Sequence, residues 1–155
     1  MKFEKLNGDY VELKDYTIKY LRDNPKVSLY IGTDAKRRKR KHMYITTVCF
    51  RHPCNGVHVI CKKQTVPNKE IHGIFDKLWR EVVMTVDVLN DMLLYIPKEK
   101  ITVDLDYSVI KKYESNKVHD SAVGWVKGLG VNVRSKPNAW AASYAADYLS
   151  NTYKL

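Results

Sequence analysis

VSLYIGTD, residues 27–34, decides how the rest of the chain is read. It follows the turn signal Asn24-Pro25, is rich in residues that suit a pleated surface, and ends on an acid. Alternation with period two puts Tyr30, Gly32 and Asp34 on one face, where the missing side chain of Gly32 leaves room beside the carboxylate. A strand that finishes on a carboxylate is a starting point for a ligand site, although Asp34 equally suits a turn cap.

Upstream, Asp15 to Asp23 reads as a helix ended by Asn24-Pro25, so residues 1–25 form an N-terminal helical extension of a single domain spanning 1–155. Downstream, MYITTVCFR (43–51) and GVHVICKKQT (56–65) read as strands joined through the turn His52-Pro53-Cys54-Asn55. With the first strand they make an antiparallel meander. Residues 72–95 carry Ile74, Leu78, Val82, Thr85, Leu89 and Met92 at helical spacing. ITVDLDY (101–107) is a fourth strand, and the helix before it lets it join the sheet in parallel beside the first. A short helix over 119–129 stops at Gly128 and Gly130, Val131 to Ser135 is a fifth strand, and Pro137 opens a last helix, Asn138 to Asn151. The expected class is α/β, a mixed five-stranded sheet with three antiparallel strands followed by parallel ones, flanked by helices.

A length of 155 residues fits one domain with its own core, and 45% hydrophobic residues is ordinary for a globular protein. The formal charge of +10, from 27 Lys and Arg against 17 Asp and Glu, favours a polyanionic partner, nucleic acid first. No apolar run reaches about 18 residues, which excludes a helical membrane span. MKFEKLNGDYVEL has no signal-peptide core, and Cys49, Cys54 and Cys61 do not pair evenly, so the expectation is a cytoplasmic protein with reduced thiols.

Against this basic background, Asp34, Glu81, Asp106 and Asp147 stand where a carboxylate is costly. Glu81 lies three residues after Leu78, beside the apolar stripe of the long helix, where a rim ion pair is the plainer reading. Asp104 and Asp106 alternate on one strand face and repel unless a metal or a cation compensates. Asp147 sits in an alanine-rich helix (Ala139-Trp-Ala-Ala-Ser-Tyr-Ala-Ala-Asp147) whose small side chains allow close approach to a neighbour; an exposed helical aspartate is the plainer reading. The first and fourth strands would bring their acid-bearing ends together. Oxygen-only ligands suit Mg²⁺ or Mn²⁺, and two such ions activate water and stabilise the leaving oxygen of a phosphodiester.

The strand order and the Asp, Glu, Asp, Asp series resemble the RNase H-like fold, and within it the YkuK-like nucleases of bacteria and phages. The resemblance rests on Ile31-Gly32-Thr33-Asp34, Arg80-Glu81, the Asp-Leu-Asp of 104–106, and Lys136-Pro137-Asn138-Ala139-Trp140-Ala141-Ala142-Ser143 with Ala146-Asp147. It implies Asp34, Glu81, Asp106 and Asp147 as metal ligands and catalytic residues. That family's fourth strand has histidine two residues before its aspartate and asparagine two after. This chain has Asp104 and Ser108 there, which makes Asp104 a further candidate ligand.

Lys36-Arg37-Arg38-Lys39-Arg40-Lys41 places six consecutive cations in an expected hairpin loop starting two residues after Asp34, suited to holding phosphates beside the metal site. A solvated loop is the competing reading. Lys136 is a second phosphate-contact candidate. His52, Cys54, His58 and Cys61 do not have the paired spacing of a zinc site. Trp79, Trp125 and Trp140 read as core. The expectation is a nuclease using two Mg²⁺ or Mn²⁺ ions to cut RNA, RNA/DNA hybrid or structured DNA, leaving a 3′-hydroxyl. A non-catalytic nucleic-acid-binding module on the same fold, and an interaction protein whose acids form an ion-pair network, are the competitors.

Overall fold

The computed structural model describes residues 1–54, 56–105, 115–135, 138, 139 and 149. The chain runs β1 (Lys2–Lys5), β2 (Tyr10–Glu12), α1 (Leu13–Asp23), β3 (Ser28–Arg38), β4 (Lys41–Arg51), β5 (Val57–Pro67), α2 (Gly73–Leu93), β6 (Ile101–Leu105), α3 (Ser115–Gly128) and β7 (Asn132–Ser135). These strands form one mixed sheet in the order β2-β1-β5-β4-β3-β6-β7. Among the described residues the sheet therefore has seven strands, where the sequence reading expected five. The meander β3-β4-β5 and the parallel placement of β6 beside β3 are as expected. The last expected helix, Asn138 to Asn151 with Trp140, lies outside the described residues apart from single positions.

The two extra strands come from the first twelve residues, which form a hairpin ahead of α1. Its turn is built on Asn7-Gly8-Asp9. Gly8 takes φ 92°, a conformation that favours glycine, and the Asp9 backbone N–H donates to Asn7 Oδ1 at 3.1 Å. Phe3 sinks into the core, and Lys63 reaches across from β5 to Glu4 at 2.7 Å, so the hairpin is stitched to the sheet edge.

Each sheet face follows from alternation. Leu29 and Ile31 of β3, Val48 and Phe50 of β4, and Ile101 and Val103 of β6 pack with Val82, Val86 and Leu89 of α2 in the main core. The opposite face of β3 carries Tyr30, Gly32 and Asp34. Beside them on β4 lie Met43 and Ile45, which form a smaller cluster with Cys61 and Leu149. The residue at 149 thus packs on the face away from α2.

Helix α1 covers the β4–β5 side of the main core. Tyr16 Oη meets His58 Nε2 at 2.7 Å, Tyr20 Oη meets His52 Nε2 at 2.7 Å, and the Tyr20 ring stacks on His58. Both histidines of the zinc-like quartet are thus engaged by tyrosines, and the alternation of β5 turns His58 and Cys61 to opposite faces.

Burial, reinforced by Lys5 and His52, lowers the pKa of His58, and burial lowers that of His42 as well. Both rings are therefore neutral in the fold while the unfolded chain accepts protons more readily. Stability is full at neutral pH and is lost as pH falls through the ordinary histidine range near about 6.5. The melting temperature should drop between pH 7 and about 5, and His58→Gln should shrink that drop. A melting temperature flat across this window would contradict the account.

Candidate active site and nucleic-acid face

Asp34 is partly buried on β3, opposite Ile45 of β4, and the strand continues past it to Arg38. It is therefore mid-strand, not the strand end expected from the sequence. On the other layer, Glu81 is only 4% exposed, on the packing side of α2. Lys77 Nζ stands 3.8 Å from its Oε1.

Two contacts set the height of Glu81 along the sheet. Tyr44, the partner of Ala35, directs its hydroxyl to Lys77 O at 3.4 Å. Thr33 Oγ1 meets Thr85 Oγ1 at 2.8 Å, and Thr85 Oγ1 donates to Glu81 O at 2.9 Å. So α2 runs antiparallel to β3, and Glu81 lies level with residues 33–35. The Tyr44 phenol records the proximity: burial first, then the Glu81 carboxylate, push it up to about 12.

Asp104 shares its sheet face with Asp34, one strand over, and is 1% exposed. Both its oxygens are engaged by Arg134 of β7, whose Nε donates to Oδ1 at 2.8 Å and Nη2 to Oδ2 at 2.9 Å. The two residues are cross-strand partners in the β6–β7 register. The guanidinium also sits over the Tyr30 ring, 4.3 Å from its centroid. Cys49 lies on the same face; burial chiefly, with a contribution from Asp104, pushes its thiol up to about 12. Arg134 was not singled out from the sequence. Its only signal there was a cation on a strand able to compensate the Asp104–Asp106 pair.

Asp106, Asp147 and Lys136 lie outside the described residues. Among the described residues, no group of three His, Cys, Asp or Glu side chains is placed to hold a metal ion.

The six-cation run is not a loop. Lys36, Arg37 and Arg38 end β3, Lys41 opens β4, and only Lys39 and Arg40 turn. The β3–β4 register continues through Arg37↔His42 and Arg38↔Lys41. Asn68 braces the turn from the end of β5: its N–H donates to Arg40 O at 2.9 Å and its Nδ2 to Lys39 O at 3.2 Å. The cations thus form a rigid tip, with Arg37, Lys39 and Arg40 exposed.

Trp79 packs partly buried against the main core, as expected, but Trp125 of α3 is 38% exposed. Phe75, Trp79 and Trp125 stack in sequence, with centroids 6.3 Å and 5.6 Å apart. No described helix is long and apolar enough to cross a membrane.

Arg134→Met should cost about 3–5 kcal/mol in urea unfolding, because it strands a buried carboxylate. The double replacement Asp104→Leu with Arg134→Met should recover much of that loss. An Arg134→Met loss under about 1 kcal/mol would mean the pair behaves like a surface ion pair.

No curated protein matches the sequence. The family model described as Ribonuclease H-like matches residues 10–151, from the second strand of the N-terminal hairpin into the segment that follows β7. With that match over nearly the whole chain, and with β3 paired antiparallel to β4 and parallel to β6 under a long crossover helix, the protein belongs to the Ribonuclease H-like family, whose members point to nucleic-acid-related, nuclease-like function.

Proposed function

We propose that this chain is a metal-dependent nuclease of the YkuK-like branch, hydrolysing phosphodiester bonds in RNA, RNA/DNA hybrid or structured DNA and leaving a 3′-hydroxyl. Asp34, Glu81, Asp106 and Asp147 are its metal ligands. The observation that carries this reading is the family match over residues 10–151, a span that holds all four acids; Glu81 is buried on α2, and Asp34 stands at the same height on the other face of β3.

The donor set is all carboxylate oxygen, which fits Mg²⁺ or Mn²⁺. When bound, two such ions lower the pKa of a water and stabilise the charge on the leaving oxygen. The chain's own residues supply the rest. Asp34 lies on the sheet face it shares with Asp104, Glu81 lies on the α2 side of the sheet, and Asp106 follows directly on the last residue of β6. Asp104, held by both nitrogens of Arg134, acts here as a positioning residue that fixes the end of β6. The basic tip holds the phosphate backbone, contacts that orient without reading sequence.

Adding Mn²⁺ should raise the melting temperature, and Asp34→Asn should remove the rise together with any cleavage. Neutralising Lys36 to Lys41 should weaken binding and flatten its salt dependence while leaving the Mn²⁺ shift in place. A Mn²⁺ shift that survives in Asp34→Asn, or no cleavage of any substrate class with Mn²⁺ present, would sink the nuclease.

A further inference from the structure

Three aromatic rings step outward where α2 meets α3. Phe75 and Trp79 lie one turn apart on α2 with planes tilted by 14°, and Trp79 meets Trp125 of α3 at 26°. The core stripe of α2 accounts for the first two. Positions 75, 79, 82, 86 and 89 share one face of the helix. Val82, Val86 and Leu89 are buried in the main core, Trp79 is partly buried against it, and Phe75 is 49% exposed. The stripe therefore runs past the cover of the core and ends in solvent. Trp125 is exposed as well, and its neighbours one turn away, Ser121 and Gly128, are small and exposed. Helix α3 thus sets no bulky side chain on the solvent side of the indole. Exposed rings gathered in one place mark a contact surface.

What this surface meets follows from where it stands. Glu81 lies level with residues 33–35 of β3, and α2 runs antiparallel to that strand. Phe75 precedes Glu81 by six residues, a rise of about 9 Å, or roughly three residues along a strand. Phe75 therefore stands at the height of Lys36 to Arg38, the basic end of β3. The two features also adjoin: a cavity of about 330 Å³ is lined by Arg37, His42 and Asn68 from the tip and by Ile74 and Lys77 from α2. Ile74, next to Phe75, is 55% exposed. The carboxylate on this turn, Asp76, is held by Arg80 at 3.0 Å. Cations and stacked rings thus form one continuous surface, complementary to a polyanion that carries flat apolar groups.

We infer that Phe75, Trp79 and Trp125 form a stacking platform for the unpaired bases of a single-stranded nucleic acid whose backbone lies on the basic tip. Nearly parallel rings extend naturally onto a planar base, and such stacking accepts any base because every base has a π-face. Single strands need both halves of this surface, cations that follow the backbone and rings that hold the bases. In a duplex the bases already stack on one another, and the rings have nothing to receive. The assignment rests on the nucleic-acid reading of the chain and narrows its substrate to strands with unpaired bases. It does not depend on the metal acids.

The test titrates the full chain, in EDTA to prevent metal-dependent cleavage, with two fluorescein-labelled strands of equal length: oligothymidylate, and an abasic strand carrying the same phosphates. The parent chain should bind oligothymidylate about tenfold tighter than the abasic strand. Phe75→Leu and Trp125→Leu keep apolar bulk at exposed positions but remove the ring. Each should weaken oligothymidylate binding about tenfold and leave the abasic strand unchanged, which also shows that the variant is folded. Trp125→Phe, which keeps a ring, should retain most of the preference. Equal binding of the two strands by the parent chain, or unchanged oligothymidylate binding in both Leu variants, overturns the platform. Equal weakening of both strands overturns it too, since the loss would not come through the bases. Self-association of the parent chain that both Leu variants abolish, with no preference between the strands, would assign the rings to a second copy instead. Neither cleavage nor the Mn²⁺ shift enters this readout, so failure of the nuclease reading and failure of the platform are told apart.

Discussion

Everything in this fold is indexed to β3. It pairs with β4 over its whole length, from Ser28↔Arg51 to Arg38↔Lys41, and on its other edge it takes β6 in parallel. A strand hydrogen-bonded on both sides cannot slip by one residue without turning Leu29 and Ile31 out of the core and Tyr30 and Asp34 into it. That two-sided lock sets which face Asp34 occupies, where Asp104 stands beside it, and how far the basic tip projects. Helix α2 is then seated by the hydroxyl chain Thr46–Thr33–Thr85, whose links are 2.9 and 2.8 Å. This chain reads the helix height directly from β3.

The same strand separates two charge environments. Its outer end carries Lys36, Arg37 and Arg38 toward solvent; its middle keeps Asp34 partly buried. A net charge of +10 is therefore concentrated, in part, on a rigid hairpin tip braced by Asn68 and not spread over a mobile loop. Rigid cations cost less ordering entropy when they meet a phosphate than a floppy loop does. The acids are treated differently. Asp104 is held within the protein by a bidentate, cross-strand arginine, while Lys77 stands 3.8 Å from Glu81. Two carboxylates with similar burial thus meet their cations at different distances.

Much of the architecture was legible because it depends on local patterns. VSLYIGTD and MYITTVCFR alternate strongly enough to place β3 and β4, and the apolar stripe of α2 at helical spacing marks a crossover between β5 and β6, which lets β6 join β3 in parallel. The N-terminal hairpin is equally local: Asn7-Gly8 between two short runs is a hairpin signal, and it lies ahead of the expected helix. The tip was misread for a reason of context. Consecutive lysines and arginines argue against a strand, but the partner strand beginning at Lys41 and running through Met43 and Tyr44 carries them outward as paired residues.

What the sequence determined by itself was the order of elements, the carboxylates set among apolar neighbours and the excess of positive charge, since each is carried by residues adjacent along the chain. Only tertiary structure decided that Asp104 belongs to Arg134, that Glu81 stands level with Asp34, and that Arg37, His42, Asn68 and Lys77 line one cavity. Those relations depend on strand register and on how high a helix rides over the sheet. Both are fixed by packing between segments far apart in sequence, and no local pattern encodes them.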